Sequence, residues 1–327
     1  MRKHPFSRRA LLALACCAAL PGASLAQATY PTRRITVLVP LEAGSAGDVV
    51  MRSVAQKMSE GLRVPVIVEN QPGVAGLLGA ERVSNSPPDG YLVGGISDSV
   101  LNYATQFNRN VRFDPLTGFE PIGLVAHISW VLVVHPSLGA KNLQEFIALA
   151  RQRQGKIDYA SAGNGSPHHI SMELLKAAAG VSLTHVPHRG ATQSVISVAG
   201  GHVPAAMSAV SVVLPFIKDG RLIPLAVPQA QRSVLLPNVP TFAEAGMPGF
   251  NFSTWIAMYA PKGTPRHVVE RLNLELRKAV ANPAVRERLL PMGLEPAGST
   301  PEELREMTRA GHARIGKLIK DLGIKPE

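Results

Sequence analysis

The chain has 327 residues, a length that exceeds one ordinary hydrophobic core and predicts about two domains. Apolar residues make up 46% and charged residues 17% of the sequence, which is typical of a globular protein and excludes a disordered chain. The formal net charge is +11, but the basic residues are scattered and aromatic residues reach only 5%, so we expect no nucleic-acid binding.

The first 28 residues have the pattern of an export signal. Four basic residues precede an apolar run from Ala10 to Leu20, and the small residues ending at Ala28 form the predicted cleavage site. The run is too short to span a bilayer, so we expect a periplasmic protein without stable membrane insertion. Cleavage removes both cysteines, Cys16 and Cys17, and leaves a net charge of +7, because four of the 34 basic residues and none of the 23 acidic residues are lost. Such a basic exported chain suits a small acidic ligand.

After this segment, short runs rich in valine and isoleucine alternate with helical patterns. The predicted strands are 35–39, 65–68, 91–96, 122–125, 131–134, 157–160, 182–186, 203–207, 222–227 and 254–259. The predicted helices are 48–62, 143–153, 167–179, 192–198, 266–282 and 301–322. This alternation predicts an α/β fold with largely parallel sheets.

Two apolar stretches favour crossings between two lobes, one near residue 128 and one near residue 252. We therefore predict one lobe from residues 29–128 and 252–327, a second from residues 129–251, and a ligand cleft between them. The two tryptophans, Trp130 and Trp255, each lie beside one predicted crossing. We expect both near the hinge or the floor of the cleft.

Three loops between a strand and a helix carry the functional signal. In the first loop, "VPLEAGSAGDVV", Asp48 is predicted to be the N-cap and the amides of Ser45, Ala46 and Gly47 are predicted to face an anion. The second loop, "GISDSV", contains Ser97.

The third loop, "YASAGNGSPHHIS", opens like a strand and ends like a helix. Ser166 is the predicted N-cap and Pro167 suits the first helical turn. Free amides together with the hydroxyls of Ser161 and Ser166 would form a neutral site for a carboxylate.

Enzyme and metal motifs fit less well. A dinucleotide fingerprint would need a glycine at position 168, where a histidine stands. His168, His169, His185 and His188 are close in sequence and suggest zinc, but the proline in "HVPH" prevents its two histidines from sharing a helical face. A hydrolase that pairs Ser161 with His169 stays an alternative.

Seven ordered motifs together resemble one family: "VENQPGVAGLLGAERV", "PPDGYLV", "FDPLTGFEPIGLV", "YASAGNGSPHHISMELL", "HVPHRG", "RSVLLPNVPTFAEAGMPGF" and "YAPKGTP". They resemble the periplasmic solute receptors of tripartite tricarboxylate transporters, also called Bug proteins, over nearly all of the chain after the signal. The resemblance implies a two-lobed, type II-like periplasmic-binding-protein fold that closes on a small carboxylate without cofactor, metal or catalysis. It also implies a monomer that works with transmembrane permease subunits.

The first and third loops would grip one carboxylate through amides, hydroxyls and water. The predicted ligand-binding residues are Gly44, Ser45, Ala46, Gly47, Asp48, Ser97, Ser161, Ala162, Gly163, Asn164, Gly165, Ser166 and His169. Ser45 stands where the family usually has glycine, so we expect the first loop to alter ligand preference. Besides the hydrolase, a ligand-sensing partner of a membrane receptor, without transport, stays an alternative.

Overall fold

The computed structural model describes residues 30–108 and 110–321. The predicted export signal with its two cysteines, and the predicted end of the last helix at Leu322, lie outside the described residues. The strands of the described chain are β1 Ile35–Val39, β2 Val66–Asn70, β3 Leu92–Ser97, β4 Phe119–Ile128, β5 Trp130–Val134, β6 Asp158–Ser161, β7 Thr184–Pro187, β8 Ala205–Ala209, β9 Ile223–Ala226, β10 Thr254–Pro261 and β11 Leu294–Pro296.

The α-helices are α1 Ala46–Leu62, α2 Leu77–Ser84, α3 Leu143–Gln152, α4 Pro167–Ala179, α5 Ala191–Ala199, α6 Val210–Lys218, α7 Arg266–Ala281, α8 Pro283–Leu289 and α9 Pro301–Asp321. Between α2 and β4, a π-helix, Ser99–Ala104, continues into one α-helical turn, Thr105–Phe107. Within the described ranges, none of these helices is both long and apolar enough to cross a membrane.

The strands form two sheets, each the centre of one lobe. The first lobe holds six strands in the order β11-β4-β10-β3-β1-β2, and the second holds five in the order β7-β6-β8-β5-β9. The prediction of largely parallel sheets is wrong, because β5 and β10 run antiparallel to both of their neighbours. A parallel neighbour in the same sheet needs a crossover connection. The chain instead enters β5 from the first sheet after Ser129 alone, and it enters β10 from the second sheet after residues 227–253.

The two crossings between the sheets lie side by side. Only Ser129 separates β4 from β5, and Thr254 begins β10 where the chain returns. The indole Nε1 of Trp130 donates a hydrogen bond of 2.9 Å to Oγ1 of Thr254, so the first residues of the two entering strands are tied together. Trp255 instead packs inside the first lobe near Tyr259. The exact lobe boundaries stay a prediction.

The last helix connects the hydrophobic cores of the two lobes. Near its beginning, Leu304 belongs to the same buried cluster as Trp255 in the first lobe. Near its end, Ile315 and Ile319 belong to the buried cluster that contains Trp130. Helix α9 therefore stabilises the relative placement of the two lobes by packing against both.

All ten predicted strands and all six predicted helices are present, and the predicted ends that fall within the described residues are displaced by at most three residues. The elements that the sequence pattern did not predict are β11, α2, the π-helix, α6 and α8. Helix α6 was missed for a clear reason: its apolar run contains Pro215, a residue that normally breaks helices.

Candidate functional site

The first loop enters α1 through Gly44, Ser45, Ala46, Gly47 and Asp48. The helix begins at Ala46, and Ser45 is its N-cap, with the side-chain oxygen accepting from the amide of Asp48 at 3.3 Å. The prediction that Asp48 is the N-cap is wrong. The helix starts two residues earlier because the serine hydroxyl already satisfies a first-turn amide.

The carboxylate of Asp48 is buried and holds the loop from inside the helix. It accepts hydrogen bonds of 2.9 Å from the amide of Gly44, from Nε of Arg52 and from Nδ2 of Asn70. Burial by itself would raise the pKa of Asp48, but the bonds from Arg52, Gly44 and Asn70 and the charge of Arg52 hold this pKa below its usual range. Asp48 is therefore ionised, and its buried negative charge is compensated by Arg52 and by the two amide donors.

Two amides in the first turn of α1 are left without an intrahelical partner. The amide of Ser45 donates to the carbonyl of Glu42 at 3.1 Å, so it is not the open donor that the sequence predicted. The amides of Ala46 and Gly47 precede the first intrahelical bond and have no partner within the helix. The positive end of the helix dipole lies at the same place.

The third loop enters α4 through Gly165, Ser166, Pro167, His168 and His169. Ser166 is the N-cap and accepts from the amide of His169 at 3.3 Å, and Pro167 occupies the first turn, as predicted. Nδ1 of His169 accepts from the amide of Gly165 at 3.1 Å. Burial lowers the pKa of His169, which favours the neutral ring that this bond requires.

Most donors of the third loop are satisfied within the loop. The amide of Gly163 donates to Oγ of Ser161 at 3.1 Å, and the amide of Ser166 donates to the carbonyl of Gly163 at 3.2 Å. The Ser166 hydroxyl donates to the same carbonyl at 2.7 Å. The expectation of free amides in this loop is therefore wrong for Gly163, Gly165 and Ser166. A role of these residues in ligand binding stays a prediction.

A histidine cluster lies behind the third loop. Nε2 of His185 shares a hydrogen bond of 2.6 Å with Oγ of Ser161, and the rings of His169 and His185 stack with centroids 4.0 Å apart. Burial, followed by the neighbouring His169, lowers the pKa of His185 to about 4. The pair proposed for a hydrolase is not formed: Ser161 contacts His185 rather than His169, and its side chain is completely buried.

The four histidines do not converge on a metal position. His168 packs edge-on against Trp130, with ring centroids 4.8 Å apart, and burial lowers the pKa of His168 to about 4. Nδ1 of His188 lies 3.0 Å from the carbonyl of Val186. Among residues 30–108 and 110–321, no three side chains of histidine, cysteine or acidic type are placed to hold a metal ion.

The second loop contains two serines that bond to each other and one buried acid. The hydroxyls of Ser97 and Ser99 lie 2.7 Å apart, and Ser97 itself is buried. Asp98 is also buried, and it accepts a bond of 2.5 Å from Nδ2 of Asn102. Burial raises the pKa of Asp98 to about 7.

A cavity of about 400 Å³ lies where the three loops meet. The cavity is bordered by Leu41 of the first loop, by Ser99 of the second and by residues of the third. Four predicted ligand-binding residues line it, namely Ala162, Asn164, Gly165 and Ser166. The predicted residues outside its lining are Gly44, Ser45, Ala46, Gly47, Asp48, Ser97, Ser161, Gly163 and His169.

Sequence reasoning missed the aliphatic and aromatic wall of this cavity. Val74, Tyr103 and Phe107 line it, and none of them was singled out. Phe107 lies so close to Gly165 that a Cβ added to the glycine would stand 2.6 Å from the ring. The glycines that flank Val74 in "QPGVAG" could have indicated an unusual backbone there. The contact of Phe107 with the third loop joins distant parts of the chain, so no local pattern indicates it.

The family model for the tripartite tricarboxylate transporter family receptor matches residues 50–324. The chain belongs to this family. A protein encoded in the tcbD-tcbE intergenic region of Pseudomonas sp. strain P51 is 38% identical over 315 residues, which cover 95% of this chain and 94% of that protein.

Two solved structures share the fold at comparable identity. One is the R. palustris protein Rpa4515 with adipate, 32% identical with a TM-score of 0.80, covering 91% of this chain and all of that one. The other is the periplasmic binding protein BugD, 31% identical with a TM-score of 0.76 and the same coverage. The resemblance seen in the sequence motifs is confirmed, as is the two-lobed α/β fold, and the family is one of solute-binding proteins rather than enzymes.

Proposed function

We propose that this protein is an exported receptor whose two lobes close on a small carboxylate and present it to a membrane permease. The main support is the cavity bordered by all three loops at the junction of the lobes. The first-turn amides of Ala46 and Gly47 are suited to a carboxylate, since helix N-termini attract anions. The adipate bound to a protein 32% identical to this one supports the same ligand class.

The third loop would contribute to binding through shape and polar contacts. Ser166 lines the cavity while it caps α4, so ligand contact and loop geometry depend on the same side chain. Ser161, His185 and His169 lie behind the loop and support it. In this proposal they hold the loop in place and do no chemistry on the ligand.

The proposed place of action is the periplasm. Residues 1–28 would direct export and be removed, leaving a basic protein in the periplasm. The lobe surfaces would contact transmembrane permease subunits, with the receptor acting as a monomer. Support comes from the signal pattern and from the description of the family as transporter receptors.

Ligand binding is tested with the chain lacking residues 1–28, screened by thermal shift and then calorimetry against monocarboxylates, dicarboxylates and tricarboxylates. A ligand specific for the native state raises the melting temperature. A folded protein that binds no carboxylate at millimolar concentration would contradict the proposal. Uptake of the identified acid is then measured in a strain lacking the gene. Loss of uptake indicates a transport receptor, whereas normal uptake indicates a sensor.

Lobe closure is expected to change tryptophan fluorescence. Trp130 lies at the crossings and contacts Thr254, His168 and Phe252, whereas Trp255 packs inside one lobe. Trp130→Phe should therefore remove most of the ligand response, and Trp255→Phe should keep it. Unchanged emission and quencher access in the wild type, with binding proved by calorimetry, would exclude this hinge placement.

A further inference from the structure

The cavity between the lobes has an uncharged and largely apolar wall. Leu41, Val74, Leu77, Tyr103 and Phe107 all contribute to it. None of the lining residues within the described chain carries a charge. A ligand in this cavity therefore meets mainly carbon beyond the part that contacts the loops.

The side chains of Ser99, Ser166 and Asn108 in the lining make hydrogen bonds within the protein, whereas the buried hydroxyl of Tyr103 has no hydrogen-bond partner among the described residues. The hydroxyl of Ser99 is bonded to that of Ser97, and the hydroxyl of Ser166 to the carbonyl of Gly163. The side-chain oxygen of Asn108 accepts from the amide of Asn110. A second carboxylate placed here would lose its water without gaining a charged partner, which disfavours binding strongly.

An unusual backbone brings one apolar side chain to the edge of this cavity. Gly73, Val74, Ala75 and Gly76 have φ values of +139°, +49°, +54° and +91°. Valine in the left-handed region is a genuine outlier, because its branched Cβ crowds the backbone. Such strain is kept mainly where a site needs it. Here it leaves the side chain of Val74 53% exposed beside the cavity.

We propose that the ligand is a monocarboxylate with an apolar tail, such as an alkanoate or an arylcarboxylate. This inference rests on the proposed function, since the loops would hold the carboxylate. The tail lies against Leu41, Val74 and Phe107. The volume of about 400 Å³ is within the range of sites for small molecules.

The decisive comparison uses two acids with the same number of carbons, hexanoate and adipate, together with benzoate. Calorimetry on the chain lacking residues 1–28 should show hexanoate or benzoate binding at least about tenfold more tightly than adipate, because the second carboxylate of adipate loses its water without gaining a charged partner in the lining. Tighter binding of adipate would overturn the apolar-tail inference and leave the receptor proposal standing. Absence of binding by all acids would overturn both.

A substitution places a charge where the tail should lie. Val74→Arg is expected to fold, because arginine is unbranched at Cβ and relieves crowding in the left-handed region. It should shift the ratio of adipate to hexanoate affinity by about tenfold towards adipate, through a charge-assisted contact with the second carboxylate. Val234→Arg is the matched control, since Val234 is 66% exposed and does not line the cavity. Equal effects of the two variants would contradict the placement of the tail.

Discussion

The loops that precede α1 and α4 share one helix-capping motif, although the two helices belong to different lobes. Each has the order glycine, serine, two residues, acceptor: Gly44 to Asp48 in the first lobe and Gly165 to His169 in the second. In both, the serine caps the helix, and the acceptor side chain binds the amide of the glycine four residues earlier, at 2.9 and 3.1 Å. Both glycines have positive φ, +82° and +69°.

The acceptor and its surroundings differ. Asp48 is an ionised carboxylate that also binds Arg52 and Asn70. His169 is a neutral imidazole whose single acceptor lone pair already receives the amide of Gly165, and protonation would remove that lone pair. A Cβ at Gly44 would meet nothing within 4 Å, but one at Gly165 would meet Phe107. The first loop is therefore self-contained, while the third depends on pH and on a segment outside its own lobe.

The largest difference should appear when the two glycines are replaced. Gly44→Val costs mainly the left-handed backbone, about 1–2 kcal/mol of unfolding free energy. Gly165→Val adds overpacking against Phe107, for a total of about 2–5 kcal/mol. It should also abolish measurable ligand binding. Denaturant unfolding and calorimetry check both effects, and equal losses from the two variants would contradict the comparison.

Removing the Phe107 ring should reduce the loss of unfolding free energy caused by Gly165→Val and leave the loss caused by Gly44→Val unchanged. In the background of Phe107→Ala, Gly165→Val should cost about the same as Gly44→Val, because only the backbone term remains. A double-mutant cycle on unfolding free energies measures this coupling. Additive effects of Phe107→Ala and Gly165→Val would show that the ring gives way without cost.

The two acceptors should respond differently to pH. Asp48→Ala is expected to cost about 1–3 kcal/mol of unfolding free energy at both pH 8 and pH 5, because a lowered carboxyl pKa keeps Asp48 ionised at both. His169→Ala should cost about 1 kcal/mol at pH 8 and less at pH 5.

The sign follows from the lowered pKa of His169. The unfolded chain takes up a proton near pH 6.5, whereas the folded chain keeps His169 neutral, so stability falls as pH falls below about 6.5. The variant lacks this loss. For Asp48 the corresponding loss begins only below about pH 4. A cost of His169→Ala that rises towards pH 5 would contradict the assignment of a neutral acceptor.

The smallest differences concern the capping serines. Ser45→Ala and Ser166→Ala should each cost about 1 kcal/mol of unfolding free energy, and Ser45→Gly only a few tenths. Ser166 lines the cavity and Ser45 does not, so only Ser166→Ala should change the ranking of acids in a calorimetric panel. A ranking altered by Ser45→Gly would instead place the Ser45 hydroxyl at the ligand.

Local patterns in the sequence predicted what depends on neighbouring residues. Ser166 followed by Pro167 identified the start of α4 correctly, because a cap and a first-turn proline act within one helical turn. At the first loop, the prediction of Asp48 as the cap overlooks Ser45 three residues before it. In the structure the serine caps the helix and the acid bonds back to the amide of Gly44. A capping-box interpretation would have identified Ser45 as the cap, although Asp48 bonds the amide of Gly44 and not that of Ser45.

Contacts between distant residues could not be predicted in the same way. The ring of Phe107 against Gly165, and the bond of His185 to Ser161, depend on how the strands are placed in space. The apolar wall of the cavity has the same origin. The sequence therefore predicted the two-lobed fold and the three loops that border the cavity, but not which loop donors are already satisfied.

The hydrogen bond from the Trp130 indole to Thr254 offers a hydrogen-exchange probe of local opening at the hinge. The indole is 3% exposed, so its proton can exchange with deuterium only when the bond between the two entering strands opens. The exchange rate of this single proton, followed by NMR, therefore reports the free energy of local opening at the crossings. If the lobes rotate about this bond without breaking it, ligand binding leaves the exchange rate unchanged. If the rotation breaks the bond, the proton exchanges faster in the state, ligand-bound or ligand-free, in which the bond is broken.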